Sequence, residues 1–361
     1  MTQTISSFPA PQRFRTIQYL RALAALSVVT YHASVRVSEN LPEAANAALY
    51  LGHGGVDLFF VISGFIMWTI GHAAPQNPGV FLLRRAIRVI PPYWIASLCW
   101  LGLMLAMGVQ WYVVDLPHVV YSLLFIPHWS PTFPEKFWPM LVPGWTLLFE
   151  MFFYAVFAIT LLAPPKRRLA VLTGSLAALV VLGLVAPTGS AVLQAYTSPL
   201  LLEFLAGVLI AELWRRGLCS ARFGAGAILL GLLVLVILSP LAVPDQTSWG
   251  RPLTFGLAGA LIVWGALSLE SRLPDWPLLE RLGDGSYAIY LFHLFVVTAL
   301  SQIWSRMPGG DTGVAAWAFI LLCLGAATAL GLWLFTHLER PLQNRLSAGL
   351  RAKGHSLRSE S

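Results

Sequence analysis

The chain has 361 residues, of which 57% are hydrophobic and only 11% are charged. Soluble globular proteins carry about 25% charged residues, so this composition excludes a soluble domain with a water-facing surface of its own. The net charge of +7 would suit a nucleic-acid partner in a soluble protein, but here the basic residues lie in short loops and show no aromatic-interleaved basic surface.

Ten apolar runs are long enough for membrane-spanning helices, which need about 20 mostly apolar residues. In chain order they cover residues 17–37, 55–71, 93–109, 143–163, 169–186, 199–214, 223–240, 252–269, 286–303 and 314–337. The first run carries Arg21 and His32, so we expect a retained helix and not a cleaved signal. A shorter apolar piece, 119–126, either re-enters the membrane or lies on its surface.

This pattern predicts an all-α, polytopic membrane helical bundle of about ten transmembrane helices. We expect one membrane domain over 17–341, a short cytoplasmic segment over 1–16 and a cytoplasmic tail over 342–361.

The basic residues predict the orientation of the bundle. With ten spans and a cytoplasmic N-terminus, all but four of the 23 Lys and Arg residues fall on the cytoplasmic side, as the positive-inside rule requires. The exceptions are Arg36, Lys136, Arg251 and Arg306.

Arg21 and His32 are ionisable residues within the first predicted helix. They are eleven residues apart, almost three full turns, so they share a face and lie about 16 Å apart along the axis. Arg21 alone would be explained by snorkelling and His32 by a buried core histidine. Because spanning a membrane requires neither residue, we interpret the aligned pair as functional.

Asp57 follows a glycine-rich stretch and lies one turn into the second predicted helix, level with His32. A carboxylate beside an imidazole fixes its tautomer and raises its basicity, as a general base needs. The alternative is that Asp57 stabilises the helix N-terminus. His53 and Asp57 could share a metal ion, but two ligands are too few for a site, so we expect no metal.

Arg85 and Arg88 are three residues apart and share a face if that segment is helical. Guanidinium groups bind phosphates bidentately, so the pair suits an anionic ligand at the cytoplasmic surface. On spacing alone, ordinary positive-inside charge or contact with lipid headgroups would explain them equally well.

Two further polar sets lie within predicted helices. Glu150 and Tyr154 belong to the fourth, while Ser286, Tyr290 and His293 fall on one face of the ninth, as either a substrate-binding stripe or a polar helix–helix seam. Glu203, in the sixth, has no assigned role.

These motifs occur in the order seen in the acyltransferase-3 family of membrane proteins, which the chain resembles from about residue 17 to 341. The segments that carry the resemblance are Arg21 with His32, GGVDLFFVISGF, RRAIRVIPPYW, GWTLLFEMFFY, FLAGVLIA and LGDGSYAIYLFH. IQYLRALAAL, FIPHW and GWTLLFEMFFY are most similar to members that modify bacterial exopolysaccharide. Thr146 stands where many members have Ser.

The resemblance implies transfer of an acyl group, in many members acetyl, from cytoplasmic acyl-CoA to a hydroxyl of a surface glycan or lipid-linked oligosaccharide. It implies a bacterial inner-membrane location, lipid contacts, and polysaccharide-synthesis proteins as further partners. By position it assigns catalysis to His32, an essential acidic role to Glu150, and donor binding to Arg21, Arg85 and Arg88.

Combining the resemblance with the residues, we expect His32 to activate the acceptor hydroxyl, with Asp57 or Glu150 orienting it. Tyr154, Ser286, Tyr290 and His293 are the candidate substrate-binding residues. A covalent acyl-histidine is an open alternative. The competing functions are a transporter or exporter subunit for a polysaccharide precursor, which shares buried ionisable residues but often shows internal repeats, and a non-catalytic scaffold.

Overall fold

The computed structural model describes residues 14–39, 52–73, 77–110, 112–185, 189–238, 246–306 and 313–348. Within these ranges the protein is all-helical and contains no β-strand. Most of the predicted N-terminal segment and C-terminal tail lies outside the described residues.

The α-helices follow one another through short connections. They are α1 (Arg15–Ser38), α2 (Gly55–Ala73), α3 (Pro78–Ala106), α4 (Leu116–Leu123), α5 (Trp145–Thr160), α6 (Arg168–Gly183), α7 (Ala191–Tyr196), α8 (Leu201–Arg215), α9 (Ala221–Leu238), α10 (Leu257–Ser268), α11 (Pro277–Asp284), α12 (Ser286–Trp304) and α13 (Gly313–Leu334). One π-helical turn, Pro252–Gly256, leads into α10, and another, Phe335–Glu339, follows α13.

Each of the ten predicted spans overlaps one of these helices. Across the described residues, seven helical stretches are long and apolar enough to cross a membrane: Gly55–His72, Pro78–Ala106, Val142–Thr160, Ala191–Arg215, Ala221–Leu238, Ser286–Trp304 and Gly313–Ala348. Of the rest, α6 has only 16 residues, Pro252–Ser268 is also short, and α1 carries three arginines. The chain is a multi-pass membrane protein, while the count of ten and the side on which each end lies stay predictions.

Helix α3 begins well before the predicted run 93–109. The side chain of Asn77 caps it by accepting hydrogen bonds from two first-turn backbone N–H groups at 2.9 and 3.2 Å, and Pro78 occupies the first helical position, where no N–H is needed. Arg85 and Arg88 are therefore helical and share a face, as expected.

Helix α2 lies at the centre of the bundle, in contact with α1, α8 and α10. Against α8 the two backbones meet at glycines: a Cβ on Gly64 would overlap the Phe204 carbonyl oxygen, and a Cβ on Gly207 would overlap the Val61 carbonyl oxygen. Only glycine permits this approach. The contact fixes how α2 is rotated about its axis, and therefore which of its residues face the site.

The predicted apolar piece 119–126 forms the short helix α4, which packs on α3. The Tyr93 hydroxyl donates to the Ser122 carbonyl at 3.1 Å, and the Trp94 indole N–H donates to the Leu123 carbonyl at 2.8 Å. These bonds hold the connection between α3 and α5 over the bundle.

Candidate active site

Helices α1, α2, α3, α5 and α12 enclose a cavity of about 100 Å³, here called the inner cavity. Its charged lining residues are Arg21, Arg85, Arg88 and Glu150. Its polar uncharged lining residues are Ser63, Thr146, Tyr154, Ser286, Tyr287 and Tyr290. Every predicted site residue other than His32, Asp57 and His293 therefore lines this one cavity.

The guanidinium groups of the inner cavity have few hydrogen-bond partners among the described residues. Arg21 is 8% exposed and donates a long hydrogen bond of 3.4 Å to Gln18, while the Nε atom of Arg85 is buried with no hydrogen-bond partner in the described chain. The cavity lining holds three cations and one carboxylate, that of Glu150. Outside the lining, Glu339 interacts electrostatically with Arg21 and Arg88, and Asp284 with Arg21. The excess of positive charge within the lining suits an anionic ligand, and phosphates above all.

Glu150 is held in place from two directions. Its Oε1 atom accepts a hydrogen bond from the Tyr154 hydroxyl, one helical turn along α5, and another from Ser63 of α2 at 3.2 Å. The carboxylate is therefore oriented before any ligand enters.

Ser286, Tyr290 and His293 do share one face of α12. This face lines the inner cavity at one end and approaches α1 at the other. Ser286 and Tyr290 line the inner cavity, and the Ser286 hydroxyl is buried with no partner among the described residues. His293, one turn beyond Tyr290, instead reaches His32: its Nε2 atom lies 3.2 Å from His32 Nδ1.

A second cavity, also of about 100 Å³, adjoins the first and is here called the outer cavity. Its polar lining residues are Tyr31, His32, His53, Lys136, Trp138, Trp145, Gln246 and Arg251. The predicted catalytic histidine is therefore separated from the predicted arginine cluster, in a cavity of its own.

Two backbone carbonyls set the tautomers of the histidine pair. His293 Nδ1 lies 2.5 Å from the Tyr290 carbonyl, so it donates, and its Nε2 is left as an acceptor. His32 Nδ1 lies 3.0 Å from the Val28 carbonyl and also faces His293 Nε2, so it donates as well. The remaining His32 nitrogen, Nε2, then carries the lone pair that a general base or nucleophile requires.

Asp57 does not contact His32 as the sequence led us to expect. It is fully buried and accepts a bidentate pair of hydrogen bonds from Arg251, at 2.8 and 2.9 Å. The Arg251 guanidinium also lies 5.3 Å from the ring centroid of Trp145. In the structure His293, and not a carboxylate, occupies the position beside the His32 ring.

The difference arises from the rotation of α2. Val56 faces both cavities, and Asp57, the next residue, points about 100° further around the helix. The depth of Asp57 was predicted from the sequence, but its direction depends on the glycine packing against α8. Arg251, one of the four basic residues predicted to lie on the non-cytoplasmic side, is 1% exposed.

We expect Asp57→Ala and Arg251→Ala each to destabilise the protein, because each leaves a buried charge without its partner at a cost of about 3–5 kcal/mol. Thermal unfolding of the purified protein in detergent measures the effect. Arg36→Ala is the control, since Arg36 and Glu39 form an exposed ion pair at 2.9 Å, worth at most about 1 kcal/mol. Unfolding temperatures equal to wild type would show that the Asp57–Arg251 pair is not structural.

Glu203 lies close to the same ion pair. It is 2% exposed, interacts electrostatically with Asp57 and Arg251, and packs against Gly256, where a Cβ would come within 3.0 Å of its Oε1 atom. No signal in the sequence joined Glu203 to Arg251, because they lie on separate helical segments.

The two cavities meet at Val56, which is 7% exposed. Two adjacent residues of α5 also lie at this boundary: Trp145 lines the outer cavity and Thr146 lines the inner cavity. Tyr290 completes this wall, and its hydroxyl lies 2.9 Å from the Thr146 hydroxyl. A group passing from one cavity to the other would therefore pass the Val56 side chain.

Over the described ranges, no three His, Cys, Asp or Glu side chains are grouped so that they could hold a metal ion.

In a comparison with known proteins, residues 14–336 match the sequence profile of a family described as an acyltransferase domain. The chain is 39% identical over 312 residues to the exopolysaccharide production protein ExoZ of Rhizobium meliloti (strain 1021), covering 83% of this chain and 94% of that protein. It is 28% identical to the putative membrane-bound transacylase BcsY of Komagataeibacter xylinus (99% and 94% covered) and 26% identical to the acyltransferase MdmB of Streptomyces mycarofaciens (94% and 94% covered). No solved structure matches.

Proposed function

Because this chain belongs to the acyltransferase-3 family and is a membrane acyltransferase, we propose that it moves an acyl group, acetyl in the simplest case, from cytoplasmic acyl-CoA to a hydroxyl of an exopolysaccharide or other cell-surface glycan. The family favours an enzyme over the transporter or exporter subunit. The observation that carries the proposal is the pair of cavities meeting at Val56, one lined by arginines and the other by His32.

The donor would enter the inner cavity. Acyl-CoA carries several phosphates, which Arg21, Arg85 and Arg88 would bind at the cytoplasmic end of the bundle. The thioester arm would then extend along the face of α1 towards His32, about 16 Å further along the helix axis. Glu150 lies on this donor side, so its predicted catalytic role would act on the donor and not on the His32 ring.

The acceptor would enter the outer cavity and place one hydroxyl at His32 Nε2. In the first route His32 takes the hydroxyl proton while the oxygen attacks the thioester carbonyl; the C–S bond breaks, and the CoA thiolate leaves and is protonated. In the second route His32 Nε2 attacks the thioester carbonyl, the C–S bond breaks and the CoA thiolate leaves, which forms an acyl-histidine. The acceptor oxygen then attacks the acyl carbonyl, the C–N bond breaks, and the hydroxyl proton passes to the thiolate. His293 would orient the ring and stabilise the positive charge in either route.

The acceptor class and the location in the cell follow from the relatives. The name of the Rhizobium protein associates it with exopolysaccharide production, which supports a glycan or lipid-linked oligosaccharide acceptor for this chain. We place the enzyme in the bacterial inner membrane, where acyl-CoA is available on one side and surface glycans on the other, alongside polysaccharide-synthesis proteins.

Reporter fusions test the proposed orientation. Fusions near Lys166 and after Arg340 should read as cytoplasmic, because those turns are rich in basic residues. Fusions near Asp245 and Gly310, which lie outside the described residues, should read as periplasmic. A periplasmic signal near Lys166 would contradict the ten-span arrangement and would place the inner cavity on the wrong side for cytoplasmic acyl-CoA.

Arginine substitutions test the donor site. We expect Arg85→Ala and Arg88→Ala each to raise the KM for acetyl-CoA about tenfold to a hundredfold, since a charge-assisted hydrogen bond is worth about 1.5–3 kcal/mol. Arg85→Lys and Arg88→Lys should restore only part of the affinity for acetyl-CoA, because lysine cannot form the bidentate hydrogen bonds of a guanidinium group. The assay is transfer of radiolabelled acetyl groups by purified protein.

Arg84→Ala is the matched control. Arg84 lies on the same turn of α3 but is exposed and does not line the inner cavity, so its loss should leave the KM unchanged. If all three alanine variants behave alike, Arg85 and Arg88 contribute only general positive charge, and the donor site must lie elsewhere.

A further inference from the structure

The outer cavity gathers buried polar atoms that lack partners. Both amide atoms of Gln246, the Nδ1 atom of His53 and the Nε1 atom of Trp138 are buried with no hydrogen-bond partner in the described chain. Gln246 is 4% exposed, and all three residues line the cavity that holds His32. Buried polar groups are normally hydrogen-bonded, so several unsatisfied groups around one cavity favour a site that binds a polar ligand.

Two other buried atoms without partners, Arg85 Nε and Ser286 Oγ, lie in the inner cavity, and the rest are scattered through the bundle. Trp264, for example, has a buried and unpartnered indole N–H but lines neither cavity. In the outer cavity, by contrast, three such residues come from three separate segments and lie around the same space. Chance leaves single atoms unsatisfied, whereas convergence of this kind is typical of a binding site.

The chemistry of these atoms identifies the class of ligand. An amide offers both a donor and an acceptor, an indole offers a donor, and an imidazole offers either. None of them is a permanent charge. The lining also holds two cations: Arg251 is paired with Asp57, and Lys136 makes an interaction of its own within the protein. Such a set fits hydroxyl groups, each of which donates and accepts, better than it fits phosphate or carboxylate.

Aromatic rings supply the other half of a sugar site. Trp138 and Trp145 both line the outer cavity, and indole rings provide large apolar faces beside polar edges. A pyranose ring has the same division, with C–H groups on its faces and hydroxyls around its edge.

We propose that Gln246, His53 and Trp138 bind the acceptor as a hydroxyl-rich pyranose, and that this binding selects the hydroxyl presented to His32. The inference rests on the proposed function for the transfer step, but binding itself requires no donor. Gln246 is the central residue, because its amide can bind two adjacent hydroxyls of one ring. These are specificity-determining residues, while His32 performs the chemistry.

The test measures binding without acyl-CoA. The probe is a set of oligosaccharides from the exopolysaccharide of the producing bacterium, stripped of acyl groups by mild base. Calorimetry of the full-length protein in nanodiscs should show at least about tenfold weaker binding for Gln246→Met, which keeps the size of the side chain and removes both polar atoms. Trp138→Phe, which keeps a ring and loses the N–H, should weaken binding several-fold.

Two controls separate binding from folding. Trp264→Phe removes an unpartnered indole N–H outside the cavities and should leave binding unchanged. Acetyl-CoA binding and the unfolding temperature of Gln246→Met should equal wild type, because the amide makes no bond that folding would lose. Equal loss of acetyl-CoA and oligosaccharide binding would show a structural role and overturn the proposal.

The remaining outcomes distinguish this inference from the proposed function. Oligosaccharide binding by Gln246→Met at wild-type strength, or no binding by the wild type, would overturn the inference. Binding that depends on Gln246, with no acyl transfer when acetyl-CoA is added, would support the inference and contradict the transfer reaction.

Discussion

Replacing His32 with alanine is expected to reduce acyl transfer by at least about 10²-fold, the lower end of what a positioned acid or base contributes. His32 Nε2 is the nitrogen left with a lone pair once Nδ1 donates to the Val28 carbonyl and to His293. His32→Gln should lose as much, because an amide cannot take up the proton. The measurement is turnover of purified protein at saturating acetyl-CoA and acceptor.

His72→Ala is the matched control for loss of a helix histidine. The His72 ring also faces a backbone carbonyl one turn back, that of Trp68 at 3.2 Å, but it lines neither cavity, so turnover should not change. His293→Phe should lower kcat and leave the KM for acetyl-CoA unaltered, as expected of a positioning residue. Near wild-type turnover by His32→Ala would eliminate both chemical routes.

Replacing Val56 with tryptophan is expected to abolish transfer while acetyl-CoA still binds. Val56 lines both cavities, so an indole there would fill the connection through which the acyl group must reach His32. Val56→Ala should keep transfer, since it widens the same connection. Radiolabelled acetyl-CoA binding and transfer are measured on the same preparation.

If Val56→Trp still binds acetyl-CoA, the variant is folded. Val236→Trp is the control for adding an indole side chain away from the cavities. Val236 is 57% exposed on α9, where the larger side chain meets lipid and should change nothing. Transfer by Val56→Trp at the wild-type rate would mean that the donor reaches His32 by another path.

The sequence predicted those parts of the site that depend on position along one helix. The spacing of Arg21 and His32 placed them on one face of α1, and the structure has them lining successive cavities. The prediction that Arg85 and Arg88 share a face required only that their segment be helical. Helix α3, capped by Asn77, includes both residues. Such inferences succeed because helical geometry alone relates residues a few turns apart.

The parts that were wrong or missed depend on how helices are rotated against one another. Asp57 was assigned to His32 because depth can be counted, while its direction is set by close packing of α2 on α8 at Gly64. Arg251 was predicted only to lie on the non-cytoplasmic side, and its burial against Asp57 had no signal in the sequence. Gln246 showed no pattern at all, since only the fold brings it to the outer cavity.

One measurement tests the central claim that donor and acceptor meet across the membrane through two connected cavities. Purified protein is reconstituted in sealed vesicles with de-O-acylated oligosaccharide inside and radiolabelled acetyl-CoA outside. We predict labelled oligosaccharide inside the vesicles, dependent on His32, and none when both substrates are outside. The protein inserts into vesicles in both orientations. When both substrates are outside, either orientation has only one of the two substrates on the side where it binds, so no transfer is expected from either. Equal labelling with both substrates outside would contradict the account.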